Sequence, residues 1–235
     1  MITAVSSAQT DPGALRSSNE DNLVDRPDLG LWAVADGAGG HGGGALASTA
    51  VVAALESIPP ELSAAEMLAQ VRLRLTGAHA ELQGLGAAGH GKGGVIASTV
   101  VVLLLRGTHF AALWAGDSRA YLLRNGHLLR VTRDHSVVQE MLDAGLLEEA
   151  DVERHPQGNV ITRAVGGEGE LQLDKVADRL QLGDCFLLCS DGLFRELAEP
   201  VIAGMLGSGA DAAALVAASV AAGGRDNSTA VVVRL

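Results

Sequence analysis

The stretch VIASTVVVLLLRGTHFAALWAGDSRAYLLRNGHLLRV, Val95 to Val131, decides the fold. It reads as four successive β-type runs, 95–105, 108–115, 118–124 and 127–131. The connectors are short: Arg106-Gly107, Gly116-Asp117 and Asn125-Gly126. Asn-Gly between two such runs is a strong hairpin signal, because both residues tolerate the positive φ of a type I′ turn. Four strands joined by tight turns pair antiparallel. A doubly wound parallel sheet would need a long crossover between each pair.

Upstream, residues 3–9 form a candidate strand, and 31–35 an apolar run that stops at Asp36. After the glycine-rich DGAGGHGGG a helix is expected over 45–57, ended by Pro59-Pro60. A second begins near Glu61, with Leu68, Val71, Leu75 and Leu82 at the three-to-four spacing of one buried face. Downstream, 134–158 is polar, helix-prone and irregular, an excursion from the core. Strands are expected again at 171–177 and 185–190, a helix over 210–222 and a last strand over 228–234. The fold class is α+β: antiparallel sheets flanked by helices, in one domain covering 1–235.

Composition narrows the function. Hydrophobic residues make up 48% and charged residues 19% of the 235, which excludes disordered and fibrous classes. Lys+Arg 17 against Asp+Glu 28 leaves a net charge of -11, with no basic run, so nucleic acid is not an expected partner. Phosphate chemistry on such a chain would need bound cations or a local arginine. Cys185 and Cys189 share one face of CFLLC and read as small core residues in a reducing compartment. MITAVSSAQT lacks a basic, then apolar leader, and the longest apolar run, 95–105, is too short for a bilayer. The expectation is a cytoplasmic monomer with no membrane contact.

Aspartate recurs where apolar runs stop: Asp36 after LWAVA, Asp117 in AGDSR, Asp191 after CFLLCS and Asp226 in GGRDNSTAVVV, with Glu20-Asp21 in RSSNEDN. Any one could merely close a turn. As a set, carboxylates on strand rims would repel one another and stay ionised together only with cations among them. Hard oxygen donors select Mg²⁺ or Mn²⁺, and paired ions of this kind serve phosphoryl transfer. Rival motifs fail. GAAGHGK (86–92) has Gly93 where a P-loop needs Ser or Thr, and it follows a helix. GDSRA is not a GxSxG elbow, and the seven histidines show no zinc spacing. Asp134-His135 are chain neighbours and are not expected to face each other as a dyad.

These contexts together resemble the metal-dependent protein serine/threonine phosphatases of type 2C, of bacterial single-domain type. The matching pieces run in order: Arg16 with Asn19-Glu20-Asp21; Val34 to Gly37 with Gly39-Gly40; Ser98-Thr99-Val100; Gly116 to Arg119; Asp134 to Ser136; NVITRAVG (159–166); Ser190 to Leu193; and Asp226 to Thr229. The resemblance implies a four-layer α/β/β/α sandwich with metals at one end, and makes 134–158 the flap beside the site. It implies two Mn²⁺ or Mg²⁺ ions and a weaker third. Asp36 would bridge the two, and Asp191 and Asp226 would hold the first. Glu20 or Asp21, with the carbonyl of Gly37, would serve the second, directly or through water, and Asp117 would help hold the third, with Asp191 as a candidate partner. Arg16 would bind the phosphate. A hydroxide bridging the metals would attack phosphorus directly, without a phosphoenzyme.

One position departs from the family. Residue 38 is alanine, where some relatives carry a histidine proposed as general acid and many bacterial ones a methionine. His41 could protonate the leaving group or be an idle loop residue. The partners implied are phosphorylated Ser/Thr proteins belonging to a cognate kinase system. RPDLGLWAVADGAGGH also resembles members associated with type VI secretion clusters. The alternative function is a catalytically silent relative that binds phosphoproteins. Retention of every expected carboxylate favours the enzyme.

Overall fold

Along β3 (Leu31–Ala38), alternate side chains enter two different cores, which fixes the layering. Leu31, Ala33 and Ala35 pack under helices α1 (Gly43–Glu56) and α2 (Ala64–Ala87). Trp32 and Val34 point instead into a core between two sheets. Strand β10 (Cys185–Cys189) repeats this: Phe186 and Leu188 join the inter-sheet core, while Cys185, Leu187 and Cys189 face outer helices. Both cysteines are buried and free. Period-two alternation on two facing sheets, each covered by helices, gives four layers. The computed structural model describes residues 4–39, 42–90 and 95–235. His41 and the Gly91-Lys92 end of the P-loop-like segment lie outside the described residues.

The first sheet has the order β1 (Val5–Asp11), β11 (Ser228–Arg234), β10, β7 (Arg119–Arg124), β8 (His127–Arg130). Helices α4 (Asp191–Phe194), α5 (Glu199–Gly207) and α6 (Ala212–Ala222) contribute Leu193, Ile202 and Leu215 to its outer core. The second sheet runs β2 (Asp21–Arg26), β3, β5 (Val100–Arg106), β6 (His109–Ala115), β9 (Asp174–Arg179), with β4 (Ala97–Ser98) also paired to β3. The pairings between described strands are antiparallel. Phe110 and Phe186 meet edge-to-face across the inner core, centroids 4.9 Å apart.

Two of the expected turns are hairpins. Arg106 pairs with His109, and Arg124 with His127, with positive φ at both Asn125 and Gly126. The third expectation is corrected. At Gly116-Asp117 the chain does not reverse within a sheet; it leaves β6 in one sheet and enters β7 in the other. Gly116 makes this crossing at φ 108°, with a Cβ position 2.6 Å from the Thr99 side chain, so only glycine fits. Other corrections are boundaries. Ser63 closes a capping box with Glu66, so α2 starts at Ala64 and not near Glu61. Asp211 caps α6, moving its start to Ala212. The strand expected at 171–177 is Asp174–Arg179, and its side chains are exposed throughout. The 134–158 excursion holds α3 (Val137–Asp143) and a 3-10 turn at Glu149–Arg154.

Candidate functional site

The parity that fills the inner core with Val34, Val101, Leu122, Leu188 and Val231 continues to one end of the sandwich, where the residues turn polar. On that same face stand Asp36 of β3, Thr99 beside β5, Ser118 before β7, Ser190 after β10 and Thr229 of β11. The Thr99 hydroxyl accepts from the Asp36 amide at 3.1 Å and meets Ser118 Oγ at 2.7 Å, and the Thr99 amide donates to the Asp36 carbonyl at 2.8 Å. Ser98 Oγ donates to that same carbonyl at 3.0 Å. These bonds fix the backbone that presents the Asp36 carboxylate.

Asp21, opposite Asp36 in the β2–β3 register, is buried. Its Oδ2 accepts from Ser190 Oγ and Thr229 Oγ1, both at 2.7 Å. The Thr229 hydroxyl, its proton thus committed, accepts from Thr10 Oγ1 at 2.7 Å, which in turn accepts from Asn19 Nδ2 at 2.8 Å. Asp21 Oδ1 is buried and has no hydrogen-bond partner. An orphan carboxylate oxygen of this kind is costly unless something positive or protic meets it.

Burial and mutual repulsion set the charge state of the acids. Burial, then Asp21, Asp191, Asp117 and Asp226 in that order, holds the Asp36 carboxyl well above the usual carboxylate range. Burial pushes Asp21 up to about 7 against the pull of its two hydroxyl donors, with Asp191 and Asp226 adding to the rise. Asp117 is likewise pushed up to about 7, first by burial and then by Asp191 and Asp134. Asp191 is raised by burial, with Arg195 opposing and Asp226 assisting. Five aspartates from five segments therefore feel one another's charge.

Arginines line the rim. Arg16 places Nη2 2.7 Å from Asp226 Oδ2 with more than half of its side chain exposed. Arg195 places Nε 2.9 Å from Asp191 Oδ2 and Nη2 3.7 Å from Asp117 Oδ2. It also donates to Asn159 Oδ1 and to the Gly158 carbonyl, so it ties the excursion to the carboxylates. Sequence reasoning missed Arg195, which lies one turn beyond Asp191 in SDGLFR; that i, i+4 spacing was the available signal. It also missed the reach of Asn227. The Asn227 side chain accepts from the Glu20 amide at 2.8 Å and donates to the carbonyls of Pro12 and Ser18, stapling the Arg16 loop in place. Asp134 and His135 turn apart, Asp134 to Arg119 and His135 to Asp174.

The donor set fits hard divalent cations. A Cβ on Gly44 would lie 2.4 Å from Glu20 Oε2 and 2.6 Å from the Gly37 carbonyl oxygen, so these two oxygens converge over a bare glycine. The orphan Asp21 oxygen and the mutual repulsion among the aspartates add to the fit. The side chains are not drawn onto one point: among the described residues, no three carboxylates, imidazoles or thiols form a finished ion cage.

Stability should follow the repulsion. Without metal, the raised carboxyls bind protons that the unfolded chain, titrating near 3.9, has already lost. The stability they carry is complete below about pH 4 and is lost as pH rises toward 7. In chelator, the urea midpoint at pH 5 should exceed that at pH 8, and saturating Mn²⁺ should remove the difference. A chelated midpoint that does not change over this range would mean the acids are not in contact.

Comparison with known proteins agrees with this geometry. A family model described as protein phosphatase 2C matches residues 16–222. The serine/threonine protein phosphatase PstP of Mycobacterium tuberculosis is 32% identical over 96% of this chain. The chain spans 44% of that relative's length. A solved structure of PppA, described as a key regulatory component of T6SS in Pseudomonas aeruginosa, is 39% identical, with a TM-score of 0.90 over 99% of this chain and 98% of that one. The catalytic domain of PstP in complex with two manganese ions is 31% identical, with a TM-score of 0.83 over 98% of this chain and 97% of that one. With its carboxylates gathered at one end of a helix-flanked double sheet and most of its length matched, the chain belongs to the protein phosphatase 2C family.

Proposed function

We propose that this chain is a catalytic domain that hydrolyses phosphoserine and phosphothreonine in proteins, using two Mn²⁺ or Mg²⁺ ions. The observation that carries the reading is the placement of Asp21 opposite Asp36 and of Arg195 between Asp191 and Asp117, with Asp21, Asp117, Asp191 and Asp226 all raising the Asp36 carboxyl. Asp36, on which all four of the other aspartates act, would be shared by both ions. Asp191 and Asp226 would hold the first, kept together by the approach of α4 to the Asp226–Asn227 backbone. Glu20 and the Gly37 carbonyl, over Gly44, would hold the second, with Asp21 behind them. Asp117 with Asp191 offers a weaker third position, which Arg195 contests.

When bound, the ions supply Lewis acidity and a water acidified enough to attack phosphorus in line with the serine or threonine oxygen. The chain's own residues position and neutralise. Arg16, exposed at the rim beside Asp226, would offer its fork to the phosphoryl oxygens. Both cysteines are buried in the outer core, away from a nucleophile's place, in keeping with direct attack by water.

The substrates proposed are phosphoproteins of a cognate Ser/Thr kinase system. Similarity to PppA supports a regulatory setting linked to type VI secretion. The intact carboxylate set opposes the silent-binder reading. Phosphate release from a phosphothreonine peptide should require Mn²⁺ or Mg²⁺ and cease in chelator. Turnover that persists in chelator would refute the metal-dependent reading.

A further inference from the structure

Away from the carboxylates, a cleft of about 660 Å³ opens between α2, the stretch after β8 and the edge strand β9. Four of the chain's 17 cations border it: Arg72, Arg130, Arg133 and Lys175. The one acid in its wall, Asp174, is already engaged, by Arg163 Nη1 at 2.9 Å and His135 Nε2 at 3.2 Å. Arg133 is paired with Asp143, and Arg130 donates to Gln139 Oε1 at 3.2 Å. Arg72 and Lys175 are exposed and have no acidic partner among the described residues. Trp114 forms part of the lining, fixed by donation from Nε1 to the Arg133 carbonyl at 2.8 Å and by stacking on His135. On a chain of net charge -11, this is a local inversion of the field.

Register places the cleft relative to the carboxylates. Trp114 is opposite Asp174, and it stands three residues before Asp117 on a chain running toward the site. Three residues span at most about 10 Å, so the Trp114 end of the cleft lies within that reach of Asp117. A peptide whose phosphorylated residue sits among the aspartates reaches that far within about three to five residues. The anionic aspartate rim would repel acidic flanks unless they pass toward Arg72 and Lys175.

We propose that this cleft is a docking subsite for acidic residues, Asp or Glu, three to five positions from the phosphorylated residue of the substrate. The proposal rests on the phosphatase reading and names its substrate class. Lys175 and Arg72 would face the incoming carboxylates, while the Arg130 and Arg133 guanidiniums, already oriented by their partners, would shape the wall.

The test uses the metal-loaded protein and phosphothreonine peptides carrying three Glu or three Gln on either flank. The wild type should show about fivefold higher kcat/KM for one Glu peptide through KM, an advantage that shrinks with salt. The Arg72→Glu/Lys175→Glu variant should lose the advantage while its turnover of p-nitrophenyl phosphate stays unchanged. The unphosphorylated Glu peptide should perturb Trp114 fluorescence in the wild type and not in the variant. Equal kcat/KM for Glu and Gln peptides in the wild type, or a preference that survives the double variant, would overturn the subsite. Absence of all turnover with Mn²⁺ would count against the phosphatase reading alone, and the fluorescence titration would still decide the cleft.

Discussion

Asp36→Asn is expected to lower metal-dependent phosphate release by about 10³-fold, equivalent to about 4 kcal/mol of transition-state stabilisation. The side chains are nearly isosteric, and the backbone clamp from Ser98 and Thr99 involves only main-chain atoms of residue 36, so the fold should stand. What would disappear is the charge that the proposed function shares between two cations. In chelator at pH 8 the variant should be as stable as the wild type or more so, because asparagine is uncharged among the four other aspartates without having to bind a proton. In Mn²⁺ the ordering should reverse, since ligand binding stabilises by an amount set by affinity and the variant binds weakly. Parallel melting curves with and without Mn²⁺, together with peptide turnover, check both halves. Retained turnover at wild-type metal concentration would remove Asp36 from the site.

Gly192→Ala should damage the protein more broadly. A Cβ on Gly192 would lie 2.0 Å from the Asn227 carbonyl oxygen, a backbone atom that cannot rotate away. Relief requires α4 to lift from the start of β11, at an overpacking cost of about 1–3 kcal/mol. The movement separates Asp191 from Asp226 and disturbs the Asn227 staple on the Arg16 loop. A displacement of about 1 Å at reacting groups costs roughly 10²-fold in rate. Gly204→Ala is the control: it sits in α5 with nothing within 4 Å of its added Cβ, and should be neutral or slightly stabilising. If Gly192→Ala behaves like Gly204→Ala in urea melts and in turnover, the close approach of α4 to Asn227 is not what sets the site.

The strand-rich middle was legible because period-two apolar runs and an Asn-Gly turn are local signals. The crossing at Gly116-Asp117 was not, since a tight hairpin and a sheet-to-sheet crossing use the same glycine and aspartate; only packing against Thr99 separates them. β9 was misplaced because, as an exposed edge, it lacks alternation. β2 and α5 were not anticipated: DNLVDR carries three charges in six residues, and EPVIAGMLG begins with Pro at its second position and holds two glycines. At the site, carboxylates that end apolar runs stand out in sequence. Ser190 and Thr229 on Asp21 do not, because their partner is distant in sequence; Arg195 shows only its i, i+4 spacing to Asp191, while its reach to Asp117 and Asn159 comes from the fold.

The most direct measurement is anomalous scattering at the manganese edge from crystals grown with Mn²⁺. Two peaks are expected within the aspartate cluster, one against Asp191 and Asp226, one against the Gly37 carbonyl and Glu20, with Asp36 reaching both. Saturating Mn²⁺ that leaves these carboxylates without a peak, or peaks only at surface acids elsewhere, would contradict the account.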